Sequence, residues 1–211
     1  QSAFLEGLQD RTVTVGKETY ELPAFSFAIA TMNPIELGQG TFPLSEAATD
    51  RFAIMVNIGY LPPEEEARLV NFDFKRVRLN SLMSKERIIE LRSAIGEHVF
   101  LHERVGQYIQ RLVAATRPYN ADAEWYHHSP SELVERGVDL GASPRAIIAW
   151  GRLGKVWALL VRRRTEVYPE DIQDLAPYVL SHRIWLGPHA ASHGLTTENV
   201  IRDVVERVPV P

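Results

Sequence analysis

The chain has 211 residues, of which 45% are hydrophobic and 24% charged, a balance that belongs to globular proteins with a sizeable core. A formal net charge of −4 gives no electrostatic case for nucleic acid or an anionic membrane as partner. The absence of cysteine excludes disulfides and thiolate metal sites, which suits a reducing cytoplasm, and no apolar stretch approaches the ~18 residues that suggest a membrane span.

Taken from the N-terminus, the signals alternate between helix and strand up to about Asn71 and are almost all helical beyond it. Ala3, Phe4 and Leu8 fit the end of an amphipathic helix, and the runs RTVTV and TYEL, either side of Gly16-Lys17-Glu18, predict a β-hairpin. The apolar run FSFAIAT (25–31) reads as a strand covered on both faces, as in a parallel sheet. It breaks at Asn33-Pro34. Ser45 can cap a short helix through Arg51, FAIMVNI (52–58) reads as the next strand, and Pro62-Pro63 with EEEARLV starts a helix with acids in its first turn. Ile88, Leu91 and Ile95 then share one helical face, as do Val105, Tyr108, Ile109, Leu112 and Val113. Ile147, Trp150, Gly154, Trp157 and Val161 stripe a third helix, expected at the centre of a bundle. Ile172, Leu175, Ala176, Val179 and Leu180 mark a fourth helix, and Val200, Ile201, Val204 and Val205 a fifth. No repeat or low-complexity segment interrupts this order. The chain opens in mid-pattern on QSAFLEGLQD, without an initiator Met or a signal-peptide pattern, and is expected to be a piece of something longer.

Three residues are candidates for chemistry. In open α/β sheets ligands bind at the carboxyl ends of strands, and Asn33 lies at the end of FSFAIAT, where an amide can orient a water or a phosphate oxygen. Asn-Pro also simply opens turns. Arg51, at the end of the short helix, is accounted for by the favourable dipole there, worth roughly 0.3–1 kcal/mol, unless a ligand claims it. Arg145 is different. In GASPRAIIAW, Ser143 is a good N-cap and Pro144 suits the first helical position, so Arg145 falls in the first turn, the wrong end for a cation. It should face an anion, supplied by the protein or by a ligand.

Together these residues resemble the MoxR family of AAA+ ATPases. QSAFLEGLQDRTVTVGKETYELP is similar to the helix and hairpin that follow that family's Walker B strand, and ATMNP to its sensor-1 strand end. GTFPLSEAATDRF resembles the loop and helix carrying the arginine finger, and GYLPPEEE the exit toward the lid. ATRP and GASPRA resemble parts of the lid that includes sensor 2, and VPVP the C-terminal end. The resemblance implies an α/β plus α fold: the C-terminal part of a P-loop core (1–71), with a parallel sheet and a hairpin insertion, then an all-α lid (72–211). It implies that Asn33 positions the attacking water, Arg51 reaches a neighbouring subunit's nucleotide, and Arg145 senses the γ-phosphate. ATP with Mg²⁺ would be the cofactor, a homo-oligomer such as a hexameric ring the assembly, and a von Willebrand factor A domain protein a partner, in the cytoplasm and without membrane insertion.

The departures matter as much. No G-x-x-x-x-G-K-[ST] occurs anywhere, and no Asp-Glu dipeptide supplies Walker B acids. The groups that cradle phosphates and hold Mg²⁺ are therefore expected N-terminal to Gln1, and this stretch alone is expected to be inactive. The histidines do not suggest a metal: Gly187-Pro188 separates His182 from His189 and His193, and no carboxylate spacing matches a zinc motif. His127-His128 falls in a polar segment expected to be a solvated loop. Arg162, Arg163 and Arg164 end the central helix, where the dipole favours cations. Two functions follow: a share of an ATP-hydrolysing, chaperone-like machine, or a non-catalytic interaction module that keeps the AAA+ surface.

Overall fold

Gly16 closes the first regular element. In the computed structural model, which describes residues 7, 11–32, 45–118, 130–188, 190 and 194–211, β1 (Thr12–Val15) and β2 (Glu18–Glu21) pair antiparallel with Val15 opposite Glu18. Gly16-Lys17 is the two-residue turn, and Gly16 takes the positive φ of 67° that such turns require at their first central position. Arg11 closes the open end, its guanidinium donating to the carbonyls of Pro23 and Ala24 at 2.7 and 2.8 Å.

The two apolar runs expected as strands of a parallel sheet differ from that reading. Residues 25–32 and 53–60 form no ladder with each other or with any other described residue. Most of their side chains are exposed, Ile29 at 78% and Ile58 at 92%. A strand is completed by a neighbouring strand that takes its N–H and C=O groups in a ladder, and the described residues supply no such strand for these two. Between them lies α1 (Glu46–Thr49), with Ser45 at its N-cap position but without a side-chain cap bond. After them, α2 (Pro63–Glu66) starts at Pro63 as expected, then tightens into 3₁₀ turns at Ala67–Asn71 and Phe74–Arg76, with no buried residue in any of the three.

From Ser84 onward the chain builds a bundle. Its helices are α3 (Lys85–His98), α4 (Glu103–Ala115), α5 (Glu132–Gly137), α6 (Pro144–Leu160), α7 (Pro169–Leu180) and α8 (Thr197–Arg207). Most start on a capping side chain: Ser84, His102, Ser131, Ser143 and Thr196 each accept a backbone N–H of the first turn. Helix α6 is central, packed against α3, α4 and α7. Its buried line is Ala146, Trp150, Gly154 and Ala158: Trp150 and Gly154 lie on the stripe expected from sequence, Ala146 and Ala158 are buried where Ile147 and Trp157 beside them are only partly so, and Val161 is 52% exposed. Small residues let α7 approach so closely that a Cβ on Gly154 would lie 2.9 Å from Ile172 Cδ1. Trp150 fills the centre and donates its indole N–H to the Ile172 carbonyl at 3.0 Å, so its polar atom is not stranded. Helices α4, α7 and α8 bury the faces their periodicity predicts, including Tyr108, Leu112, Ile172, Val179, Val200 and Val204.

Short strands tie the helix ends, a feature the helical periodicity does not reveal. β3 (Phe100–Leu101) pairs parallel with β5 (Glu166–Val167), and β4 (Val138–Leu140) pairs antiparallel with β6 (Trp185–Leu186) across an irregular register. The architecture is thus α/β plus α, with the main apolar core inside the bundle.

Candidate functional site

The motifs ATRP and GASPRA, about 25 residues apart in the chain, meet in space. Thr116, fully buried at the end of α4, donates to the Val113 carbonyl at 2.7 Å and accepts the Ala142 N–H at 2.9 Å. Arg117 donates through Nε to the Ala142 carbonyl at 2.8 Å. Gly141 is needed because the strands of backbone nearly touch: a Cβ there would sit 2.4 Å from the Thr116 oxygen. This join fixes the start of α6, where the Ser143 hydroxyl accepts the Arg145 N–H at 3.1 Å.

The anion that Arg145 requires is Asp50. Arg145 Nη1 lies 3.3 Å from Asp50 Oδ2, and the Ser143 hydroxyl donates to that same oxygen at 2.7 Å. The other carboxylate oxygen takes Arg183 Nε at 3.2 Å. Arg183 follows α7, is only 3% exposed, and spends its remaining donors on backbone: the carbonyls of Asp50 and Ala53, each at 3.2 Å, and those of Phe52 and Val179. His182 contacts the Phe52 carbonyl through Nε2 at 3.0 Å, and the Met55 N–H reaches the Tyr178 carbonyl at 2.9 Å. Since a carbonyl only accepts, Nε2 carries the imidazole proton. Burial, reinforced by the Arg183 charge, pushes His182 down to about 4, against the opposing pull of Phe52 and Asp50. Burial likewise pushes Arg183 below its ordinary value, offset by Asp50.

Arg51, next along from Asp50, is partly buried and folds back so that Nη1 donates to the Ala47 carbonyl one turn earlier. This is the helix C-terminal contact that the sequence leaves open for it. Asn33 lies outside the described residues, as do the loop 38–44, His127, His128, His189 and His193. The cations after α6 are held by carboxylates of α7 as well as standing near a helix end: Arg164 meets the buried Asp171 at 2.6 Å and stacks over Tyr168 at 4.1 Å, while Arg162 pairs with Asp174. Sequence reasoning names Arg51 and Arg145 but passes over Asp50 and Arg183. The signals were present: an acid adjoins Arg51, and a cation follows α7, where dipole arguments expect one.

Arg145 also passes a simple test for a phosphate ligand. Its side chain is 49% exposed, and among the described residues it makes one ion pair, through one nitrogen. The remaining guanidinium N–H groups can serve an anion beside Asp50. Among the described residues no helix is long and apolar enough to cross a membrane.

The chain resembles known proteins in sequence and in structure. Residues 1–54 match the family described as ATPase family associated with various cellular activities (AAA), and residues 131–204 match the AAA lid domain. The Asp50 seam therefore joins a stretch of AAA core to an AAA lid. At 35% identity the whole chain aligns with 61% of the uncharacterized protein YeaC of Bacillus subtilis. At 34% identity it aligns with 54% of the chaperone MoxR1 of Mycobacterium tuberculosis, and at 30%, over 99% of its length, with 62% of protein MoxR of Methylorubrum extorquens. A crystal structure described as a "putative ATPase" from Cytophaga hutchinsonii superposes over the whole chain with a TM-score of 0.82 at 34% identity, the chain covering 62% of it. The chain belongs to the MoxR family of AAA+ ATPases. It spans between 54% and 62% of the length of these relatives.

Proposed function

We propose that this chain is part of an ATP-hydrolysing machine of the MoxR type that remodels partner proteins, working as a cytoplasmic homo-oligomeric ring, hexameric by family analogy, beside a von Willebrand factor A domain protein. The division proposed is a core portion through residue 71 and a lid from residue 72. ATP and Mg²⁺ would be held mainly by residues outside this chain. Bound there, the nucleotide supplies the scissile phosphoanhydride, and the metal its charge neutralisation. Asn33 would orient the attacking water, Arg51 would offer its charge to a neighbouring subunit's nucleotide, and Arg145 would contact the γ-phosphate.

One observation carries this reading. Arg145, 95 positions further along the chain, meets the carboxylate of Asp50, the residue just before Arg51, and is half-exposed with one ion pair among the described residues. A cation at a helix N-terminus with spare donors is placed for a second anion. The naming of one relative as a chaperone supports the remodelling role.

The test is turnover in the longer protein that carries this chain together with a phosphate-binding loop. Arg51→Ala is expected to cut turnover by ~10³-fold or more, the range of an arginine finger, while leaving nucleotide affinity within about threefold. Rings mixed from Arg51→Ala subunits and subunits lacking the P-loop lysine should regain partial activity, because an intact nucleotide site then meets an intact Arg51. Asn33→Ala subunits mixed in the same way should regain none, since both defects lie in the subunit that holds the nucleotide. If Arg51→Ala matches Asn33→Ala in that assay, Arg51 does not act across a boundary.

A further inference from the structure

Arg183 does more than join two surfaces. Its donors fall on four backbone carbonyls and one carboxylate oxygen, and all but the Val179 carbonyl belong to residues 50, 52 and 53. Both flanks of Arg51 are therefore gripped from the far side of the seam by a side chain 3% exposed, while the Arg51 side chain keeps its own contact with Ala47. A guanidinium has five N–H donors in a fixed fork, one for each of these five acceptors, whereas an ammonium has three. As a plain staple it would be an expensive choice, because burying a guanidinium costs desolvation that apolar packing avoids. What a saturated buried network supplies in return is a single backbone geometry.

We infer that Arg183 is the positioning residue for Arg51: the lid, through Arg183 and Asp50, fixes where Arg51 is presented. Asp50 is shared, its second oxygen holding Ser143 and Arg145 at the start of α6. A displacement of the lid is thereby transmitted to the backbone on both sides of Arg51. The inference rests on the proposed role of Arg51 at a neighbour's nucleotide.

The experiment uses the longer ring-forming protein, with Arg183→Lys and Arg51→Ala assayed side by side. Arg183→Lys is expected to lower kcat about 10- to 100-fold, the scale of an ångström-level misplacement, with KM for ATP within about twofold. Mixed with subunits lacking the P-loop lysine, it should regain activity as Arg51→Ala does, because its own nucleotide site is sound and the partner's arginine is properly held. General loss of folding would not give that pattern, since a disordered subunit holds no nucleotide. If Arg183→Lys rings do not assemble, Asp50→Asn, which leaves the carbonyl bonds available, is put through the same mixture and carries the same expectation. An unchanged kcat, or a loss that mixing does not restore while Arg51→Ala is restored, overturns the positioning role and leaves the Arg51 reading standing. Failure of Arg51→Ala itself to be restored removes that reading, and the inference with it.

Discussion

Acid should open the seam before it unfolds much else, and His182 sets the window. In the folded protein its value lies at about 4, against 6.5 for the free side chain, with burial as the leading cause. Between those two values the unfolded chain binds a proton that the folded chain refuses, so the contribution is fully present above pH ~6.5 and is lost as pH falls toward 4. The 2.5-unit difference corresponds to about 3 kcal/mol in full, and to about 2 kcal/mol between pH 7.5 and pH 5. Protonation would also put a second N–H at Nδ1, an atom buried without a hydrogen-bond partner, beside the Arg183 charge. The assay is urea unfolding followed by tryptophan fluorescence at both pH values, for the wild type and for His182→Gln, whose amide can still donate to the Phe52 carbonyl. With a urea slope of about 2 kcal/mol per molar, the wild-type midpoint should fall by about 1 M more than the variant's. Parallel losses in the two proteins would show that His182 does not titrate across this interval on unfolding, and would refute the reasoning.

Gly141→Ala should cost at least ~2 kcal/mol in the same unfolding assay, because its Cβ would meet backbone atoms of Thr116 and Arg117 at 2.4–2.8 Å that cannot swing aside. Gly106→Ala, in the interior of α4 with nothing within 4 Å of the new methyl, is the contrast and should gain about 0.5–1 kcal/mol. Asp171→Asn should destabilise by about 3 kcal/mol, measured by thermal or urea unfolding, since it removes the fully buried carboxylate that Arg164 meets at 2.6 Å and leaves Arg164 only the longer 3.9 Å pair with Glu170. The Asn side chain also turns a donor toward groups that now donate to Asp171, including the Tyr168 N–H at 2.8 Å.

The helices of the bundle were legible because burial on one face of a helix leaves a periodic trace, and Tyr108, Leu112, Ile172 and Val204 lie where that trace puts them. The hairpin was legible through Gly16 and alternation. On α6 the expected stripe is right at Trp150 and Gly154, where α7 comes close, and misses at Ala146 and Ala158, because a pattern that weighs size favours the neighbouring Ile147 and Trp157. The two-residue ladders left no trace, since a pair such as Phe100 opposite Glu166 is too short for alternation. The expected strands 25–31 and 52–58 had the right composition, but composition does not supply a neighbouring strand, and among the described residues none forms a ladder with them. At the site, the dipole of α6 calls for an anion beside Arg145, and one is there. Only tertiary structure could choose Asp50, 95 positions away, and show that Arg183 shares it.

The seam also sets a schedule for synthesis. Arg183 is made 133 residues after Asp50. At a synthesis rate of 5–20 residues per second, residues 50–55 wait roughly 7–27 s before the side chains that hold them exist. During that interval Ile54 and Val56, which remain partly exposed even afterwards, have no contact from α7. The helices between them form from local contacts within microseconds, so docking of α7 onto Asp50 is paced by the ribosome and comes as the closing event. A pause in translation before codon 183 would lengthen the exposure of this apolar stretch directly, and with it the time open to a chaperone or to another nascent chain.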